Sequence, residues 1–218
     1  MKKLVLAGAV ALFGLSNAQI AKGTAYLSGS VGYSQVESDN GNYKKENFNV
    51  LPTVGYFVGT NLAVGVGVGY QTEKTTETTT TTLPGATVVS EDITKKPAFV
   101  VAPFVRKYWT LSDKLYIFGQ LAVPMQFGKT ETESNSVVTT GSTTSTTSVS
   151  TEAKYTQVGV TVKPGLDYFL NKNWSIEATI GEFGYSNYKP KDGDATNNYN
   201  FGLNLSSVTF GVKYVFAK

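Results

Sequence analysis

Residues 208–216 read V-T-F-G-V-K-Y-V-F. Val208, Phe210, Val212, Tyr214 and Phe216 share one parity, and Thr209, Gly211, Lys213 and Val215 share the other. Strict period two over this stretch predicts a β-strand whose apolar face ends in an aromatic ring. Only Ala217 and Lys218 follow it. Such a strand suits either a hairpin of a soluble β protein or the closing strand of a transmembrane barrel.

Seven further segments alternate in the same way: 25–33, 48–58, 62–70, 98–108, 115–127, 155–169 and 174–185. The last strand starts near residue 201 and loses its parity around Ser206 and Ser207, so a bulge is expected there. The connections sort by length. Those at 58–61, 109–114 and 170–173 are short, whereas 36–47, 71–97, 130–153 and 186–200 are long and polar. Long and short connections in turn, between eight strands, are the plan of an all-β, eight-stranded antiparallel up-and-down transmembrane β-barrel with both termini in the periplasm.

Composition removes several classes of function. The 218 residues suffice for one domain. There is no Cys and no His. Disulfides, thiolate metal sites and Cys nucleophiles are thereby excluded, and so are the usual general base and the commonest transition-metal ligand. No cofactor is expected. The formal charge of +3 is too small to point to nucleic acid. Met1, Lys2 and Lys3 begin a targeting segment; residues 4–15 are apolar but too short to span a bilayer as a helix. Ser16-Asn17-Ala18 offers small residues where a signal peptidase reads. Residues 1–18 are therefore read as a cleavable signal peptide and 19–218 as the barrel domain. The 19 basic residues, less Lys2 and Lys3, against 16 acidic ones leave a side-chain charge of +1.

Alternation alone does not say which face looks inward; a lipocalin-like barrel would bury the apolar one. The inverted choice has three supports. The apolar face is aliphatic in mid-strand and aromatic at its ends, with Tyr56, Tyr168, Trp174, Tyr214 and Phe216 at one rim and Tyr33, Tyr70 and Phe127 at the other. The opposite face is rich in Gly, Ala, Ser and Thr, which suits a cramped interior. It also carries few Lys and Glu for a hydrated surface.

The segments GYFVGTNLAVGVGVGY (55–70) and APFVRKYW (102–109), together with the closing strand, resemble the small outer-membrane β-barrel family of the outer-membrane protein A membrane-domain and X type. The likeness runs over most of the chain after residue 18. It implies a place in the bacterial outer membrane and contact with outer-membrane lipid. It also implies recognition of Phe210, Val212, Tyr214 and Phe216 by the outer-membrane assembly machinery. The barrel enzymes of this kind generally rely on His, so no enzymatic activity is implied.

Pro52-to-Phe57, Pro103-to-Tyr108 and Pro164-to-Phe169 form a weak repeat, each just before a short turn. It is read as a hairpin with its aromatics at one rim. A proline lacks a donor, so ladder defects are expected at Pro52, Pro103, Pro124 and Pro164.

Parity puts Arg106, Lys163, Asp167, Glu177 and Lys213 on the inner face. Charges in so narrow a space must be paired. Arg106 and Lys213 with Asp167 and Glu177 are expected to form one network, with Glu177 meeting Lys213 from the neighbouring strand. The related barrels imply a plugged lumen. The function expected is structural or interactive, through possible surface partners at 71–97 and 130–153; the alternative is a narrow pore for ions or small solutes. Asp192-Gly-Asp194 with Asn197 has oxygen ligands but no distal bidentate Glu, and reads as a turn, not a calcium site. The stretch QTEKTTETTTTT (71–82) and much of 130–152 are low in complexity. Thr nevertheless favours strands, so part of each stretch is expected to continue the wall past the membrane.

Overall fold

The computed structural model describes residues 20–202 and 208–216. The signal-peptide reading over 1–18, and the bulge expected at Ser206-Ser207, lie outside the described residues. Among the described residues, eleven strands form one closed antiparallel sheet. They are β1 (Ala25–Ser38), β2 (Tyr43–Gly59), β3 (Leu62–Leu83), β4 (Ala86–Thr110), β5 (Leu115–Ala122), β6 (Met125–Thr140), β7 (Thr143–Phe169), β8 (Trp174–Ile180), β9 (Glu182–Pro190), β10 (Thr196–Gly202) and β11 (Val208–Phe216). Strands β5 and β6 follow each other along one wall between β4 and β7. β8 and β9 follow each other beside β7. β11 pairs with β8 on one side and β1 on the other, and its partners Ala25↔Phe216 and Ser30↔Gly211 close the ring.

The prolines explain where the walls divide. The β2–β3 ladder passes from Val50↔Tyr70 to Thr53↔Gly67, leaving out Pro52 and its neighbour. Pro103 faces the break at Val123-Pro124 between β5 and β6. There the Val123 N–H still donates to the Pro103 carbonyl at 2.9 Å. Pro164 faces the break between β8 and β9, where the register on β7 shifts by one residue. Gly181 fills that bulge with φ of 70°, a backbone that favours glycine. Pro97 makes a further gap that the repeat did not point to, between Lys95↔Glu131 and Ala98↔Gly128.

The apolar parity faces outward. Phe210, Val212 and Phe216 are 65%, 53% and 51% exposed. Tyr70, Phe99 and Phe127 lie side by side across β3, β4 and β6 and form one aromatic row. Trp174, Tyr214 and Phe216 form another at the short turns, with ring centroids 4.9 and 5.1 Å apart. Leucine, isoleucine and valine fill the band between the rows, as a lipid-facing wall requires.

The Thr-rich stretches are strands. β3 runs 22 residues to a turn at Pro84-Gly85, and β7 runs 27 residues from a turn at Gly141-Ser142. β2 accompanies β3 only as far as Tyr43↔Glu77, and β9 accompanies β7 only as far as Tyr155↔Pro190. Beyond those points β3, β4, β6 and β7 continue as a four-stranded sheet.

Candidate functional site

The lumen narrows at the short-turn end to a floor of rings and ions. The rings come first. Tyr26, Phe57, Tyr108 and Phe118 are all under 2% exposed and point inward. Phe57 lies 5.6 Å from Tyr26 and 5.5 Å from Tyr108, and Tyr108 lies 5.8 Å from Phe118. Tyr116 joins Tyr108 to Phe169. This layer places the aromatics of the repeat at one rim, the short-turn end, and on the inner face. Proline and aromatic are five residues apart, an odd spacing, so they take opposite faces. Phe57 and Tyr108 therefore pack the floor from inside. Glycines make room for such rings: Tyr26 stands opposite Gly55, Phe104 opposite Gly65, and Phe118 opposite Gly165.

The ions sit on and among these rings. The guanidinium of Arg106 donates to Glu177 Oε2 at 2.5 Å, to Gln120 Oε1 at 2.8 Å and to the Tyr108 hydroxyl at 3.1 Å. It lies over the Phe118 ring, 4.2 Å from the centroid, a cation–π contact. Lys213 is fully buried, donates to Asp167 Oδ2, and lies 3.3 Å from the Tyr108 hydroxyl. The rings of Tyr108, Phe169 and Tyr26 surround its ammonium at 4.9, 5.1 and 5.3 Å.

The four expected residues thus come together, in a different pairing. Lys213 binds Asp167, not Glu177. The register is the reason: Gly211 stands opposite Glu177 and Ser175 opposite Lys213. Lys213 therefore enters one step nearer the short turns, where the small Ser175 lets it reach β7. Asp167 and Glu177 are direct cross-strand partners. Two adjacent carboxylates repel, and each here has its own cation. Lys163 stands apart from this group. It pairs at 2.9 Å with Glu182, higher on the wall. Sequence parity places Glu182 outside with Ile180, but the Gly181 bulge turns it inward, so its role was not read.

Above the floor the lumen widens into a cavity of about 370 Å³ that includes Arg106, Glu177, Lys163 and Glu182 in its lining. A second cavity, about 650 Å³, shares Asn49, Gln71, Gln126, Gln157 and Asn198 with it and continues toward the long hairpins. No group of three or more metal-ligating side chains occurs among the described residues.

Residues 5–216 match the model of the family described as outer membrane protein beta-barrel domain. The chain belongs to that family. It is an outer-membrane β-barrel, and its outward apolar band meets the lipid of a bacterial outer membrane. Among solved structures it is similar to the N-terminal β-barrel domain of OprF from Pseudomonas aeruginosa. There the identity is 8% and the TM-score 0.40, over 90% of this chain and 100% of that one. It is similar also to Ail, the attachment invasion locus protein of Yersinia pestis, with 15% identity and a TM-score of 0.32, over 89% and 99%. The translocator domain of the autotransporter NalP from Neisseria meningitidis follows at 10% and 0.26, over 98% and 94%. No curated protein matches the chain.

Within this outer-membrane β-barrel the closing strand sets Phe210, Val212 and Phe216 toward lipid and Val215 into the floor.

Proposed function

We propose that this protein is a non-enzymatic outer-membrane barrel whose lumen is shut at the short-turn end and whose Thr-rich hairpins form an interaction surface outside the cell. One observation carries the reading: the Arg106–Glu177 pair lies directly on the ring layer, side chains 5% and 11% exposed, at the short-turn end of the lumen. Two cations and two anions neutralise each other there, and the rings fill the space between them. A solute passing through would have to part buried ion pairs, and stranding one charge costs about 3–5 kcal/mol.

In the proposed orientation the short turns and both termini are periplasmic and the long hairpins are extracellular. Residues 1–18 serve as the signal peptide, and the assembly machinery reads the strand carrying Phe210, Val212, Tyr214 and Phe216. The four-stranded extension of β3, β4, β6 and β7 supplies the surface for a partner.

Planar-bilayer recordings test the closed lumen: no stable unitary current is expected from the refolded protein. A steady current would put the narrow pore in its place. Tags inserted in 71–97 or 130–153 should be labelled on intact cells, whereas tags at Thr60 or Lys172 should not. Labelling at Thr60 would reverse the orientation.

A further inference from the structure

The cavity above the floor has a chemistry of its own. Its two ion pairs, Arg106–Glu177 and Lys163–Glu182, cancel in charge. Most of its remaining polar lining consists of amides and hydroxyls. Such a lining attracts a ligand through donors and acceptors but gives no counter-charge to a charged one.

Several of its groups have spare capacity. Gln157 is partly exposed, lines both cavities, and its amide has no hydrogen-bond partner among the described residues. Arg106 uses Nε and Nη1 in the bonds already described, and its Nη2 has no protein partner among the described residues. Glu177 receives Arg106 through Oε2, and its Oε1 lies beside Gly211, which has no side chain to cover it. A donor edge next to an acceptor oxygen matches a pair of neighbouring hydroxyl groups, which both donate and accept. The volume, about 370 Å³, is within the range of small-molecule sites, about 300–1,000 Å³. The floor closes one end, and the second cavity leads from the other toward the long hairpins.

We infer that this cup binds a small neutral polyhydroxylated molecule of monosaccharide size. The Arg106–Glu177 edge and the amide of Gln157, which stands where the two cavities join, hold its hydroxyls. A charged sugar would bring an uncompensated charge beside two pairs that are already satisfied, and is disfavoured for that reason. The inference goes beyond the closed-barrel reading and depends on it only for the floor, which the conductance recording tests independently.

Saturation-transfer NMR on the full folded protein in nanodiscs, with D-glucose as probe, tests it. Transfer to glucose is expected, with gluconate and glucosamine binding more weakly. Gln157→Leu keeps roughly the side-chain size and removes the free amide. It should weaken glucose binding roughly five-fold, the worth of one hydrogen bond. Gln157→Trp fills the junction from a partly exposed position and should abolish transfer while the protein stays heat-modifiable. Absence of transfer in the unaltered protein would overturn the inference. So would unchanged glucose binding in both variants, or tighter binding of either charged sugar. None of these results would alter the conductance outcome, so the two readings fail separately.

Discussion

Tyr26 lies flat against Gly55: a Cβ built on that glycine would stand 2.2 Å from the tyrosine's ring Cζ. The two residues are direct partners across β1 and β2. The same relation recurs at Gly65 with Phe104, 2.4 Å, and at Gly165 with Phe118, 2.3 Å. Each inward ring occupies the side-chain space that its neighbour gives up. The floor is therefore a set of matched pairs, and its weak points can be named.

Gly55→Ala should destabilise the barrel by about 1–3 kcal/mol, the usual cost of overpacking a full core. Gly202→Ala, where nothing among the described residues lies within 4 Å of the added atom, should be near neutral. Urea unfolding in micelles compares the two. Equal stability would mean that Tyr26 moves aside freely.

Glu177→Ala leaves the buried Arg106 without its carboxylate and should cost about 3–5 kcal/mol. Arg106→Met together with Glu177→Leu removes both charges and should recover most of that loss. A double-mutant cycle on the same unfolding transition gives the coupling. Simple additivity would show that the two side chains do not act as a pair.

Phe216→Ala removes a lipid-facing ring that packs on Tyr214 at 5.1 Å and pairs with Ala25 at the seam. Less folded, heat-modifiable protein should reach the membrane. Unchanged levels would show that the seam closes without it.

Lys129, Glu131 and Glu152 form ion pairs of 2.6 and 2.9 Å on the protruding sheet. The hydrogen bond from Lys129 holds the Glu131 carboxyl below its ordinary range, and the bonds to Glu131 and Glu152 hold the Lys129 ammonium above its own. The lysine's contribution is complete at neutral pH and is lost only in strong alkali. The Glu131 contribution is lost as pH falls through its lowered value, beneath the ordinary carboxylate range. Amide protection in β6 and β7, relative to Glu131→Gln, should hold from neutral pH down to the carboxylate range and then converge with the variant. The pair is exposed, so the difference should be small. A difference persisting in strong acid would assign it to something other than this charge.

Much of this was legible in the chain. Parity fixed which residues face the lumen, because a strand has only two faces. The prolines marked the ladder breaks, because each lacks a donor. Three things were hidden. The inward packing of Phe57 and Tyr108 was one, because inward rings are legible only through the glycines across from them, and those lie on other strands. Glu182 was missed because one inserted residue, Gly181, reverses every parity after it. The reach of β3 and β7 was legible only in part, since a run of threonines gives no apolar contrast from one face to the other.

The ladder between β3 and β4 runs unbroken from Leu62↔Lys107 to Leu83↔Ala86. Membrane wall and projecting sheet are thus one piece, with no linker between them on that pair of strands. From Tyr70 to the turn is a rise of roughly 40 Å at about 3.3 Å per residue. A pull on the tip travels as shear along these hydrogen bonds to the strand ends beside Arg106 and Tyr108. Hairpin and floor then form a single mechanical element, and a load borne outside the lipid is resisted by the packing at the bottom of the barrel.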